Sequence, residues 1–276
     1  MGASGPCGTD LLCVVGCQVV AIPVWAGMAS SQGEVPTAVR PSDFLAHPLP
    51  ALVGSVLGAV AALVAYRTFM RRLRHGEVLE LSTRGALREL AVGLAVGAGV
   101  MVVCFALLAA MGVYRVHGLG WQPAAVGALA VGIMAGVGEE LFARATLLRL
   151  LSAWVGPWWA LAATSVFFGA AHLLNDGATL IGVVAIVLEA GVLLTGRVWM
   201  AIGVHIAWNA VQAGLFGSTI SGSVGGGQGL IQATWHEADL LTGGSMGVEG
   251  SLVTIAVGLA AGAALLAAAR RRGRLT

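Results

Sequence analysis

Lysine is missing altogether from this 276-residue chain, and charge of either sign is scarce, at 15 basic residues, all arginine, and 13 acidic ones. Only 10% of residues are charged, against roughly 25% in an ordinary soluble domain, which excludes a soluble globular protein. Four cysteines are too few and too badly placed for a disulfide framework: Cys7, Cys13 and Cys17 crowd the N-terminus and Cys104 falls inside an apolar run. No positive residue precedes the Val14–Cys17 segment, so it reads as part of a first membrane helix rather than a lipoprotein processing site. The arginines form two patches rather than one basic face, which argues against nucleic acid as a partner.

What the chain has in quantity is hydrocarbon, with 58% hydrophobic residues. Crossing a bilayer takes about 20 apolar residues, and runs of that order lie near 11–29, 50–66, 90–112, 122–145, 157–175, 178–195, 198–216 and 251–269. Only a helical bundle satisfies so much backbone in lipid, so the expected fold is all-α, a polytopic transmembrane bundle of about eight helices. Arg67, Arg71, Arg72, Arg74, Arg84 and Arg88 lie between the second and third runs, and Arg270, Arg271, Arg272 and Arg274 follow the last. The positive-inside rule then places the basic loop 67–88 and the C-terminus in the cytoplasm, with 30–49 and the Gly-rich 217–249 outside. Arginine in place of every lysine, with abundant Ala, Gly and Val, suits a GC-rich bacterial genome, and hence the cell's inner membrane. Gly54 with Gly58, Gly93 with Gly97, and Gly258 with Gly262 have the spacing that lets membrane helices approach closely.

Against this background a few polar groups stand out, because ionisable residues inside a membrane are costly and mark function. They are Glu139, Glu140 and Arg144; Phe168 and His172; and His205 and Asn209, in three of the apolar runs. Ser152–Pro157 breaks the first helix from the second, so an antiparallel hairpin brings Glu139 and His172 to similar depth at about 1.5 Å per residue. Glu140 and Arg144, at i and i+4, share a helix face while Glu139 points away from it. Glu140 is therefore expected to be neutralised by Arg144, leaving Glu139 to face a cavity and act as general base on water. His172 would orient that water, with Phe168 packing against its ring. His205 and Asn209, also i and i+4, suit an oxyanion hole. Glu189, on the intervening span, is a candidate supporting partner for Arg144 or a histidine. Zinc held by Glu139, His172 and His205 is the alternative to a metal-free mechanism, although the H-E-x-x-H zinc helix is absent.

The order E-E-x-x-x-R, F-x-x-x-H, H-x-x-x-N over these residues resembles the CPBP family, which groups type II CAAX prenyl endopeptidases with bacteriocin-processing and immunity proteins. Thr195–Trp199 and Leu241–Gly250 are similar to the family's approach to its third motif and to its tail. The resemblance covers roughly 120–255, and implies a protease core within 86–276 preceded by an unmatched N-terminal region, 1–85. It implies an intramembrane endopeptidase in which the first Glu and first His activate water and the second His and the Asn bind the oxyanion. The implied partners are the lipid bilayer and a peptide or membrane-protein substrate, prenylated or not. No cofactor is expected unless zinc is used. The rival readings are a non-catalytic immunity or scaffold protein binding through the same cavity, and a proton-coupled transporter, disfavoured by the lack of an internal repeat.

Overall fold

The computed structural model describes residues 43–175, 177, 179, 197–222, 226–236 and 238–271. The expected spans at 11–29 and 178–195, and with the latter Glu189, lie outside the described residues, as do Cys7, Cys13 and Cys17. Helices stand at the other six expected places. Four of them are long and apolar enough to cross a membrane, and Leu252–Leu265 is a shorter apolar helix. The chain is an integral membrane protein with a helical architecture.

The first long helix, α1 (Pro48–Arg74), starts on a proline in its first turn and ends with Arg71, Arg72 and Arg74. Proline's missing N–H costs nothing at a helix start, and terminal arginines complement the helix dipole. It outruns the expected boundary at 66 because arginine ends an apolar run without ending a helix. The helix stops at His75, whose left-handed backbone (φ 51°) turns the chain. Next come α2 (Ala86–Ala110) and a 32-residue rod, α3 (Ala124–Val155), which is α-helical to Glu140, π-helical over Leu141–Leu147 and α-helical again from Leu148. Gly156 (φ 82°) and Pro157 make the predicted break before α4 (Pro157–Leu174). The fifth helix, α5 (Trp199–Asn209), continues as a π-helical stretch, Ala210–Leu215, and α6 spans Leu252–Arg271.

The all-α expectation needs one correction. Two strands, β1 (Tyr114–Leu119) and β2 (Ile231–Trp235), pair antiparallel, Tyr114 opposite Trp235 and Leu119 opposite Ile231, with an irregularity between Val116 and Gly118. Both lie in segments expected to be loops. Their pairing joins pieces of chain more than a hundred residues apart, which no local pattern announces. An aromatic cluster anchors the ribbon to the bundle: Phe105 of α2 stacks on Phe216 (centroids 3.9 Å apart) and meets Tyr114 edge-on at 5.0 Å, and Tyr114 meets Trp235 at 5.0 Å. The Tyr114 hydroxyl donates to the Phe216 carbonyl at 2.7 Å, and burial pushes this phenol up to about 12.

The core that matters for function surrounds α5. A Cβ at Gly93 or Gly97 of α2 would overlap the carbonyls of Met200 and Val204, and one at Gly136 of α3 would press on Ile206. Glycine on the neighbours thus lets α2 and α3 clasp α5 backbone to backbone. On the other side Ala59, Ala62, Tyr66 and Met70 of α1 pack with Val137, Leu141 and Ala145 of α3 and Ile202 of α5. The start of α5 is pinned as well: Arg197 pairs with Glu89, and Trp199 donates its indole N–H to the Ser82 carbonyl at 2.9 Å.

Candidate active site

The three motif helices meet at a cavity of about 110 Å³ lined by Glu140, Arg144, Phe168, His172, His205 and Asn209, together with Val204, Trp208, Ser221 and Glu249. Six of the residues singled out in the sequence therefore share one wall-to-wall space. Both π-helical stretches begin immediately after a lining residue, Glu140 in one case and Asn209 in the other. Such widened turns recur at functional sites because they re-aim side chains that a regular helix would stack.

Glu140 is 1% exposed, and its Oε1 accepts from Arg144 Nη1 at 3.2 Å and sits 3.1 Å from His205 Nδ1. The expected i, i+4 pair with Arg144 is thus present, and His205 shares the same oxygen. Glu139 is not itself among the lining residues; its side chain is 35% exposed, and its Oε2 lies 3.8 Å from Nε2 of His205, which is one of them. That oxygen is shielded and carries no hydrogen bond among the described residues. His205 therefore stands between the two carboxylates, with one ring nitrogen toward each.

His172 Nδ1 lies 2.8 Å from the Phe168 carbonyl. A carbonyl only accepts, so Nδ1 carries the proton and a neutral His172 keeps its lone pair on Nε2. Phe168 orients this histidine through its backbone as well as its ring, which lies 4.9 Å from the imidazole. The same ring lies 5.2 Å beneath the Arg144 guanidinium and 6.3 Å from the His205 ring, in reach of a cation–π contact. Asn209 is 3% exposed and lines the cavity one helical turn beyond His205.

Among the described residues no three His, Cys, Asp or Glu side chains converge as a group able to hold a metal ion, and Glu139, His172 and His205 are all described.

Four lining residues were not legible as site residues, apolar Val204 and the polar Trp208, Ser221 and Glu249. Glu249 is 4% exposed. Its Oε1 accepts from the Trp208 indole at 3.1 Å, and its Oε2 accepts from both the backbone N–H (2.8 Å) and the hydroxyl (2.6 Å) of Ser221. Burial pushes this carboxyl above the usual range, against the pull of the Ser221 hydroxyl, His172 and Trp208. The available signal was a lone acid in a stretch otherwise composed of Gly, Ser and apolar residues.

Helices long and apolar enough to cross a membrane thus gather carboxylate, imidazole, guanidinium and carboxamide groups around one cavity. Residues 120–211 match the family described as type II CAAX prenyl endopeptidase Rce1-like. Over this segment, a third of the chain, the protein is similar to the CPBP and CAAX protease family. The matched segment contains Glu139, Glu140, Arg144, Phe168, His172, His205 and Asn209 and ends before Ser221 and Glu249. No curated protein matches the chain, and no solved structure does.

Proposed function

We propose that the protein is an intramembrane endopeptidase that cleaves a peptide or membrane-protein substrate by general-base attack of water. The observation that carries this reading is the division of labour between adjacent carboxylates. Glu140 is committed to Arg144 and His205, whereas Glu139 keeps a shielded oxygen without a hydrogen bond among the described residues, beside the second nitrogen of His205. A carboxylate oxygen not already engaged in a hydrogen bond is free to take a proton from water.

In this mechanism Glu139 takes a proton from the attacking water. His172, its Nδ1–H held by the Phe168 carbonyl, offers Nε2 to position that water. As the carbonyl carbon becomes tetrahedral, its oxygen gains charge and is met by N–H groups of Asn209 and of His205 in its doubly protonated form, braced at Nδ1 by Glu140. Such donors are worth most where bulk water is excluded. Glu139 then returns the proton to the leaving amine, so the cycle needs neither a side-chain nucleophile nor a cofactor. Cytoplasmic orientation of the arginine-rich side and residence in a bacterial inner membrane belong to the same proposal.

The test is a peptide library treated with detergent-purified wild type and with Glu139→Gln, each with and without a strong zinc chelator. Cleavage by wild type that survives chelation and is lost in Glu139→Gln supports the proposal. Loss on chelation would transfer Glu139 and the two histidines to a metal. Cleavage by Glu139→Gln at the wild-type rate would remove Glu139 from the chemistry.

A further inference from the structure

Beyond the three motifs, the cavity has a fourth support, and it comes from a part of the chain that the family match does not reach. Ser221 has a left-handed backbone (φ 46°) although it is not glycine, a conformation that L side chains adopt only where surrounding contacts impose it. The contacts are clear. In this conformation Ser221 directs both its N–H and its hydroxyl at one oxygen of Glu249, and its carbonyl accepts from the Asn175 side chain at 2.6 Å. Asn175 follows the end of α4 three residues after His172. Close by, the Gly177 N–H donates to the Gly222 carbonyl at 2.8 Å, the Gly222 N–H to the Met246 carbonyl at 3.1 Å, and the Ser245 hydroxyl to the Gly177 carbonyl at 2.9 Å. The other oxygen of Glu249 holds Trp208, which stands between His205 and Asn209 on α5.

A single buried carboxylate thus ties the chain leaving His172 to the helix carrying His205 and Asn209. We infer that Glu249, acting through Trp208 and Ser221, is a positioning residue that sets His172 against the His205–Asn209 pair across the cavity. This rests on the endopeptidase reading for its catalytic consequence, but not for the geometry itself. The carboxylate is suited to the task because it accepts on both oxygens at once. An amide at this position would turn one of its two ends from acceptor to donor, facing either the indole N–H or the Ser221 donors. Since displacement of a reacting group by about 1 Å can cost about 100-fold in rate, a loose joint here would be felt in turnover.

The experiment compares full-length Glu249→Gln, Trp208→Phe, their double variant and the milder Ser221→Ala with wild type in detergent. Three quantities are read: kcat and KM for a cleaved library peptide, the melting temperature, and the ring NMR resonances of His172 and His205. Glu249→Gln should lower kcat at least about tenfold with KM little changed, and should shift both histidine signals. The double variant should fall little further than Glu249→Gln alone, because both remove one link. Ser221→Ala, which keeps the backbone N–H bond, should show the same changes at smaller size if Glu249→Gln fails to fold. Histidine resonances that stay at their wild-type positions in a folded variant would overturn the inference. If wild type cleaves nothing, the endopeptidase reading fails separately, and the histidine resonances still decide whether Glu249 sets their geometry.

Discussion

Two glutamates in this protein are buried to the same degree, 1% exposed each, and both are met by arginine, yet their surroundings assign them opposite tasks. Glu80, in the turn between α1 and α2, receives Arg74 at 2.8 Å and the Tyr66 hydroxyl at 2.9 Å on one oxygen and faces Arg149 at 3.5 Å with the other. The Tyr66 hydroxyl also lies 2.9 Å from the Ala145 carbonyl. This cluster joins the end of α1 and the arginine-rich loop to the far part of α3, and none of its members lines the cavity. Glu140 has Arg144 on its own helix and an imidazole from another, and it does line the cavity. A buried carboxylate surrounded by cations is a fastener. One that shares its charge with a histidine at the edge of a cavity holds a reactive group in place. Burial and ion pairing alone do not separate the two; the neighbouring space and the titratable partner do.

The comparison can be broken at several points. The largest effect is expected at Arg144. Replacing it by alanine leaves Glu140 with the His205 contact alone, and removing one partner of a buried ion pair costs about 3–5 kcal/mol. Arg144→Ala should therefore lower both the yield of inserted protein and the melting temperature, measured by fluorescence-detected size exclusion across a temperature series. If Arg144→Ala melts like wild type, the Glu140–Arg144 pair carries no such weight. Glu80→Gln should be milder, because an amide still bonds Tyr66 or an arginine. A loss of about 1–3 kcal/mol is expected, with kcat for any cleaved peptide unchanged, and a fall in kcat would merge the two clusters that the comparison separates. Phe168→Leu sharpens the picture on the smallest scale. It removes a cation–π contact of about 0.5–2 kcal/mol and the ring against both histidines but keeps the carbonyl that holds His172. A few-fold loss of activity is expected, whereas a complete loss would show that the ring, not the carbonyl, orients His172.

The sequence revealed what was local. The i, i+4 pairing of Glu140 with Arg144 follows from helix geometry, and the hairpin break at Gly156–Pro157 from a glycine free to take a positive φ followed by a proline suited to start a helix. What stayed hidden depends on distant partners. Glu80 sat unremarked among the arginines of a loop, and Glu249, noticed only within a family-like tail, was given no role, because nothing within a few residues of either predicts burial. The β1–β2 ribbon was missed for the same reason. Glu139 shows a different limit: periodicity separated it from Glu140, but a helical wheel could not tell that His205 would stand between them.

The most direct test sets Glu139→Gln beside Glu80→Gln, each purified in detergent and measured for initial cleavage rate and for melting temperature. Loss of a general base lowers rates by about 100- to 10,000-fold. The account predicts a loss of that order for Glu139→Gln with melting unchanged, and the reverse pattern for Glu80→Gln. A Glu139→Gln protein that cleaves normally, or that loses activity only in step with its melting temperature, would contradict it.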